Sequence, residues 1–418
     1  MRGLLRWVAL GLGLLGASLG MAQDTQTGGT PVPLSSSSSA VPRPPAAEPV
    51  PAAELEAAIE KGQQFLIADQ NKDGSWGSAH KTKGLNIYAP VPAAHHAFKA
   101  GTTALALRGL LETAPPKDER SAELEAAIEL GSQWMLRELP NLRRSSSDAL
   151  YNVWGHAYGI SALVKLHAES DAPRRAEIES LLRDQVDRLT RYEVINGGWG
   201  YYDFEAQTAK PSGSPTSFTT ATVLHVFHEM EASTDVEVSQ RIIDRALESV
   251  RRQRQPDFTY AYGEYLKMKP RYSINRPGGS LGRNVACNSA LFLFEDDRIT
   301  EKVIAESLDR LFARNLWLEI GRKRPIPHES WFAVAGYFFY YGHYYGGVCI
   351  DLVPEAERDF YRDHLARVLL PLQEKDGSWW DYPLYNYHQA YGTGFALLTL
   401  ELCRKPTAPA SRGALESK

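Results

Sequence analysis

The chain has 418 residues, with 46 lysines and arginines against 50 aspartates and glutamates, and its formal net charge of −4 gives no electrostatic reason to expect a nucleic-acid partner. Only three cysteines occur, Cys287, Cys349 and Cys403, far apart in apolar surroundings; a disulfide scaffold is excluded and buried thiols are expected. At this length there is room for a large core and for more than one average domain.

The first element is the stretch "MRGLLRWVALGLGLLGASLGMAQ", with Arg2 and Arg6 ahead of an apolar run and small residues near Ala22, the layout of a secretory signal peptide over residues 1–22. The run is too short and too often interrupted by glycine to anchor the chain, and no later stretch is uniform enough to span a bilayer. The expectation is a secreted or periplasmic protein with no transmembrane segment after signal cleavage. Residues 23–52, built from Ser, Pro, Thr, Gly and Ala, read as a disordered linker, and residues 405–418 as a disordered tail.

Residues 53–404 contain a repeat. "LEAAIEKGQQFL" from Leu55 matches "LEAAIELGSQWM" from Leu124, and a Gly-x-Trp signature recurs at Trp76, Trp199 and Trp379. The gaps, 199 − 76 = 123 and 379 − 199 = 180, are about two and three multiples of sixty, so six repeats are predicted.

Each repeat supplies two kinds of helix. One has a single apolar stripe, as in "AEIESLLRDQVDRL", where Ile178, Leu181, Leu182, Val186 and Leu189 share a face and charges occupy the rest. The other is apolar nearly all round: "TTALALRGLL", "YGISALVKL", "TTATVLHVF", "NSALFLF", "WFAVAGYFFYYG" and "GTGFALLTL". A helix with no wet face must be surrounded by protein. Six half-exposed and six enclosed helices, without strand-like alternation, predict an all-α fold, an (α/α)6 toroid with six inner and six outer helices.

"QNKDGSWGS" at Gln70 returns as "QEKDGSWWD" at Gln373. Its Asp-Gly turn, its Trp and its Gln suit a joint between repeats better than a catalytic loop. Lys61-Gly62, Phe65-Leu66, Gln70, Gly74 and Trp76 also fall at the spacing of the QW motif of triterpene cyclases. The region resembles the terpenoid cyclase and protein prenyltransferase superfamily of α/α toroids. Repeat three keeps Gly197 and Trp199, with Glu193 in place of Gln, and repeats two, four and five lack the signature.

The resemblance implies a ligand cavity where the inner helices begin. It also shows what is missing. The Asp-rich acid of squalene-type cyclases has only "FEDD", Phe294 to Asp297, as a counterpart, at the exit of a buried helix. The prenyltransferase zinc pair would need Asp and Cys where Glu329 and Trp331 stand, although Tyr387, His388 and Tyr391 match the context of the zinc-binding histidine. Zinc could be held only by His328, Glu329 and His388, without a thiolate. No metal and no cofactor is expected.

By that family geometry the inner-helix starts carry the candidate site. Glu329, His328, His388 and Tyr391 are the acid–base candidates. His95, His96, Trp154, His156, Tyr158, Asn284, Asn288, Trp331 and Tyr387 are the candidate ligand-binding residues, a polar and aromatic set. Three functions fit: a toroid that binds an extended small-molecule, glycan or peptide ligand, an enzyme acting on an isoprenoid or hopanoid-like lipid, and a carbohydrate-active (α/α)6 enzyme. The loop residues 259–283, before the fourth inner helix, could lid the ring.

Overall fold

A computed structural model describes residues 42–84, 87, 89, 91–203, 210–211, 213, 215–328 and 333–406. The signal segment, residues 23–41 of the linker and residues 407–418 of the tail lie outside the described residues. So do Glu329 and Trp331.

The helices alternate as the sequence predicts. Outer helix first, the pairs are α1 (Ala52–Asp69) and α2 (Val91–Thr113), α3 (Ala122–Glu138) and α4 (Asn152–Ala168), α5 (Ala172–Tyr192) and α6 (Ser217–Ser233), and α7 (Gln240–Gln253) and α8 (Pro277–Leu293). After α9 (Glu301–Ala313) comes the short α10 (Asn315–Glu319), then α11 (Phe339–Ile350), and the ring ends with α12 (Glu355–Leu369) and α13 (His388–Cys403). Side chains start several outer helices by accepting from otherwise orphaned amides: Ser121 from Leu124, Asp171 from Arg174 and Thr300 from Val303. The five-residue apolar stripe of α5 is buried throughout.

Every inner helix packs on the next, α2 on α4, then α6, α8, α11 and α13, and α13 returns to α2. Each outer helix covers the inner helix that precedes it, with α1 on α13. At the α13–α2 seam, a Cβ on Gly394 would lie 2.6 Å from the Leu105 carbonyl oxygen, so only glycine allows this approach.

The repeated motif is the joint. Trp76, Trp199 and Trp379 are fully buried, each donating its indole N–H to a carbonyl at the end of the preceding outer helix: Leu66 at 2.7 Å, Leu189 at 2.8 Å and Leu369 at 3.0 Å. Their amides donate to Thr103, Thr220 and Thr393 of the following inner helix, each at 3.0 Å. Gln70 then reaches the next outer helix, donating to Ala127 at 2.9 Å, and Gln373 makes the same bond to Ala58 at 2.9 Å. The sixth repeat is thereby fastened to the first.

The fourth repeat also carries the joint, contrary to the sequence reading. Asp257 accepts from the Thr259 amide at 3.1 Å, as Asp73 and Asp376 accept from Ser75 and Ser378. Phe258, at φ 59°, stands where glycine is used elsewhere. Tyr260 replaces the tryptophan, and its amide donates to Asn284 at 3.3 Å instead of to a threonine.

Three other expectations are corrected. "WFAVAGYFFYYG" is not the fifth inner helix: Ala333–Ala335 is irregular, with Ala333 at φ 52°, and α11 begins at Phe339. The loop placed at 259–283 ends earlier, because α8 already starts at Pro277. Residues 42–51 are part of the fold: Arg43 pairs with Glu357 at 3.1 Å, the Val50 amide donates to Asp363 at 3.0 Å, and Arg367 donates to the Glu48 carbonyl at 3.0 Å, so the segment lies along α12. At the "FEDD" helix exit Glu295 and Asp297 are exposed, while Asp296 is buried between Arg251 at 2.7 Å and Arg254 at 2.9 Å.

Candidate functional site

A cavity of 680 Å³ occupies the end of the ring where the inner helices begin. Toward their other ends α2, α4 and α6 are tied by charge, with Arg108 paired to Glu112 at 2.6 Å and to Glu229 at 2.5 Å, and Lys165 to Glu112 at 2.5 Å. The cavity lining is aromatic. Eleven of the chain's 20 tyrosines line it, with Trp154, Phe98, Phe218, Phe338 and Phe395, and no Asp, Glu, Lys or Arg is among the described lining residues.

The tyrosine hydroxyls are largely used by the protein itself. Tyr151 bonds Tyr202 at 2.6 Å, Tyr201 bonds Tyr262, Tyr337 donates to His328 at 2.9 Å, Tyr341 donates to the Phe218 carbonyl at 3.0 Å, and Tyr391 donates to Asp381. Tyr382 meets Lys83 at 2.9 Å. With their oxygens turned to protein partners, these rings offer the cavity mainly carbon.

Two groups at the wall can carry a proton. Asp381 is fully buried behind the lining and accepts from Tyr391 and from the Tyr340 amide at 3.1 Å. Burial pushes its carboxyl up to about 7, and those hydrogen bonds act in the opposite direction. His328 lies in the lining at φ 62°, its Nδ1 donating to the Ala333 carbonyl at 2.6 Å and its Nε2 accepting from Tyr337. Burial holds its imidazole below the usual range, so the ring is neutral. A cation stands behind the lining: Arg283, fully buried, lies 5.3 Å from the centroid of Tyr262 and 5.7 Å from that of Phe338, and donates to three carbonyls rather than to a carboxylate.

Among the described candidates, Trp154, Tyr158, His328 and Tyr391 meet at this cavity. His95, His96 and Tyr387 instead border a separate polar hollow of 370 Å³ with Asp73, Lys99 and Glu138. There His95 approaches the Tyr387 hydroxyl at 3.2 Å and His96 pairs with Glu138 at 3.3 Å. Four more candidates also lie away from the cavity lining. His156 is buried against α5, bonded to Gln185 at 2.7 Å. Asn284 serves the fourth joint, while Asn288 accepts from Tyr260 at 2.7 Å and donates to Ser307 at 2.8 Å. His388 donates to the Tyr385 carbonyl at 2.7 Å and packs edge-on against Trp380, outside the lining.

Of the zinc set, Glu329 lies outside the described residues and both ring nitrogens of His328 are engaged within the protein; among the described residues no group of three or more His, Cys, Asp or Glu is placed to hold a metal. The three cysteines are buried and free.

No family model matches the chain, and no curated protein matches it in sequence. Solved structures do match in fold. Cellobiose 2-epimerase from Spirochaeta thermophila is 15% identical over 84% of this chain and 95% of its own, with a TM-score of 0.54. D-mannose isomerase is 12% identical over 85% and 98%, with a TM-score of 0.53. The type II terpene cyclase MstE from Scytonema is 13% identical over 84% and 98%, at a TM-score of 0.47. The chain is an (α/α)6 toroid. At such identities the likeness is one of fold, and the reaction must be argued from the site.

Proposed function

We propose that the toroid is an exported binding protein whose central cavity holds an elongated, uncharged and mostly apolar ligand of the isoprenoid or hopanoid kind. One observation carries this: tyrosine hydroxyls around the cavity bond to the protein, so the lining presents aromatic carbon and few free polar groups. A glycan would leave its own hydroxyls desolvated against such a wall, at a cost of roughly 1–3 kcal/mol for each one unpaired. The volume falls within the range of about 300–1,000 Å³ usual for small-ligand sites. Arg283 behind Tyr262 and Phe338 supports binding over carbocation chemistry, since a cationic intermediate near that wall would face a buried like charge.

A second reading, acid–base conversion of the bound lipid, draws on the Asp381–Tyr391 pair. Asp381, protonated at and below neutral pH, could pass a proton through the Tyr391 hydroxyl, and the phenol–imidazole pair of Tyr337 and His328 could take one. This role was expected of Glu329 and His388; Asp381 is better supported as the acid.

The test is titration of the purified protein with a C20 isoprenoid alcohol and with an oligosaccharide, following the tryptophan emission to which Trp154 of the lining contributes. Gly101 lines the cavity, and a Cβ added there has no neighbour closer than 3.8 Å, so the position accepts a side chain and Gly101→Phe takes up cavity space; a melt of the variant checks that the ring is intact. Saturable binding of the alcohol, weakened at least about tenfold by Gly101→Phe, is the expected result. Binding of the oligosaccharide alone, or indifference to Gly101→Phe, would overturn the reading.

A further inference from the structure

The first joint carries more than a joint needs. It shares with the sixth an Asp oxygen that accepts from the Ser amide, a buried Trp, and an inner-helix Thr that accepts from the Trp amide. Counted back four residues from that threonine, Lys99 of α2 corresponds to Gln389 of α13. Counted on from the carbonyls that Gln70 and Gln373 reach, Trp134 and Glu138 of α3 correspond to Phe65 and Asp69 of α1. Gln389 fills its place at the sixth joint, donating to Asp376 and to Ser378, each at 3.0 Å. At the first joint that place belongs to the hollow of 370 Å³. Lys99 and Trp134 are therefore additions that the repeat does not demand, and such departures from a structural rule are where function is sought.

The polar groups of the hollow stand in loose pairs. One Asp73 oxygen serves the joint, and the other faces the Lys99 ammonium at 3.7 Å. Glu138 gives one oxygen to Arg137 at 3.0 Å and turns the other to His96 Nε2 at 3.3 Å. Neither pair closes to the usual ~2.7–2.9 Å of a charge-assisted hydrogen bond, so each keeps a donor beside an acceptor for a third group. A sugar hydroxyl is such a group, because it donates and accepts at once, and adjacent ring hydroxyls can engage neighbouring pairs. Trp134 adds apolar carbon to the wall, held in place by the bond from its indole to Asp73 and by its edge-on contact with His96.

Charge selects against other occupants. Asp73 and Glu138 repel an anion, Lys99 repels a cation, and burial holds the His95 imidazole below its usual range, so that ring is neutral. The volume is at the lower end of the range of about 300–1,000 Å³ usual for small-ligand sites. Phe98 of the central cavity packs against Tyr387 of the hollow with ring centroids 5.9 Å apart, so the two sites share a wall and not a space.

We propose that the hollow at the first joint binds an uncharged pyranose ring through adjacent hydroxyls, held by the Asp73–Lys99 and Glu138–His96 pairs. It supplies the open hydrogen-bonding groups that the cavity wall lacks, and the proposal stands whatever ligand the cavity holds.

The test is calorimetric titration of the full chain with the methyl pyranosides of glucose, mannose, galactose and xylose, with an oligosaccharide of each sugar, and with glycine and inorganic phosphate as charged alternatives. The expected result is saturable binding of at least one glycoside with a Kd of about 1 mM or tighter, weakened at least about tenfold by Lys99→Met and by Glu138→Gln. Lys99→Arg, which keeps the cation, should retain it, and Gln389→Met at the sixth joint should leave it unchanged. Melts of the variants check that each ring is folded. Tighter binding of the oligosaccharide marks the ligand as a chain end, and equal or weaker binding marks it as a free sugar; both support the site. Absence of glycoside binding, binding of glycine or phosphate in its place, or indifference to Lys99→Met and Glu138→Gln would each overturn it. So would glycoside binding abolished by Gly101→Phe, which would put the sugar in the cavity. Glycoside binding without isoprenoid binding counts against the cavity reading alone.

Discussion

Gly377→Ala tests whether the repeated joint closes the ring. Gly377 has φ 91°, and a Cβ there would overlap the Lys61 carbonyl oxygen of α1 while lying 3.0 Å from its carbon and 3.4 Å from the Lys61 Cβ. Left-handed backbone costs an L-residue about 1–2 kcal/mol. Relief of the overlap moves the sixth joint off α1 and sacrifices the Gln373–Ala58 hydrogen bond, worth about 1 kcal/mol. It also loosens Trp379, against which Gly62 packs so closely that a Cβ would sit 2.8 Å from the ring; losing a quarter of that indole's burial costs about 1 kcal/mol more. The stiffer unfolded chain of alanine returns about 0.5 kcal/mol. The net expectation is about 3 kcal/mol, read as a lowered urea midpoint. Two companions sharpen the measurement. Gly74→Ala meets the same local strain at a joint between repeats adjacent in sequence, so only Gly377→Ala should also lose amide protection in α1. Gly84→Ala, with no atom within 4 Å, should be nearly neutral. A loss below about 1 kcal/mol for Gly377→Ala, or unchanged exchange in α1, would refute closure by this joint.

Two further outcomes follow from the site. Because burial lifts Asp381 to about 7 from the ordinary 3.8, the unfolded chain releases this proton first; its contribution to stability is full below pH 3.8, falls as pH rises, and is gone above about 7. Asp381→Asn should flatten that decline, on the order of 4 kcal/mol across the window, with urea melts at several pH values as the assay; a parallel decline in both proteins would place the titration elsewhere, Asp69 being raised in the same direction. Asn288→Ala removes the acceptor of the buried Tyr260 hydroxyl and one of the two hydrogen bonds of Ser307, which still donates to the Val303 carbonyl; the cost is about 2–3 kcal/mol of stability by melting, while isoprenoid affinity stays within twofold; a large affinity loss without destabilisation would return Asn288 to the binding site.

The outer helices were legible because one wet face imposes a 3.6-residue rhythm on the sequence, as in the stripe of α5. That signal disappears where every face is dry. "WFAVAGYFFYYG" therefore read as helix, although Gly336 is pressed against the Asp381 carbonyl oxygen, a Cβ there lying 2.6 Å away, and the helix starts only at Phe339. The site divides in the same way. Trp154, Tyr158 and Tyr391 lie on inner helices and could be anticipated; Tyr201, Tyr202, Tyr262 and Tyr382 come from segments whose direction no periodicity encodes. A usable sign was present: each follows a joint residue, Trp199, Tyr260 or Trp379, by two or three positions. The fourth joint escaped notice because Phe258 stands at a positive φ, where glycine is the usual marker.

The bond from Gln373 to Ala58 spans more than three-quarters of the chain, and that separation orders events during synthesis. While repeats one to five emerge, each new outer helix finds its inner partner already made, so nearest-neighbour contacts can accumulate as the chain grows. Helix α1 is the exception: its inner partner is α13, made last. Its apolar stripe must wait, uncovered, until almost the whole polypeptide has left the ribosome, and moving the chain ends to another joint by circular permutation would transfer that wait to a different helix.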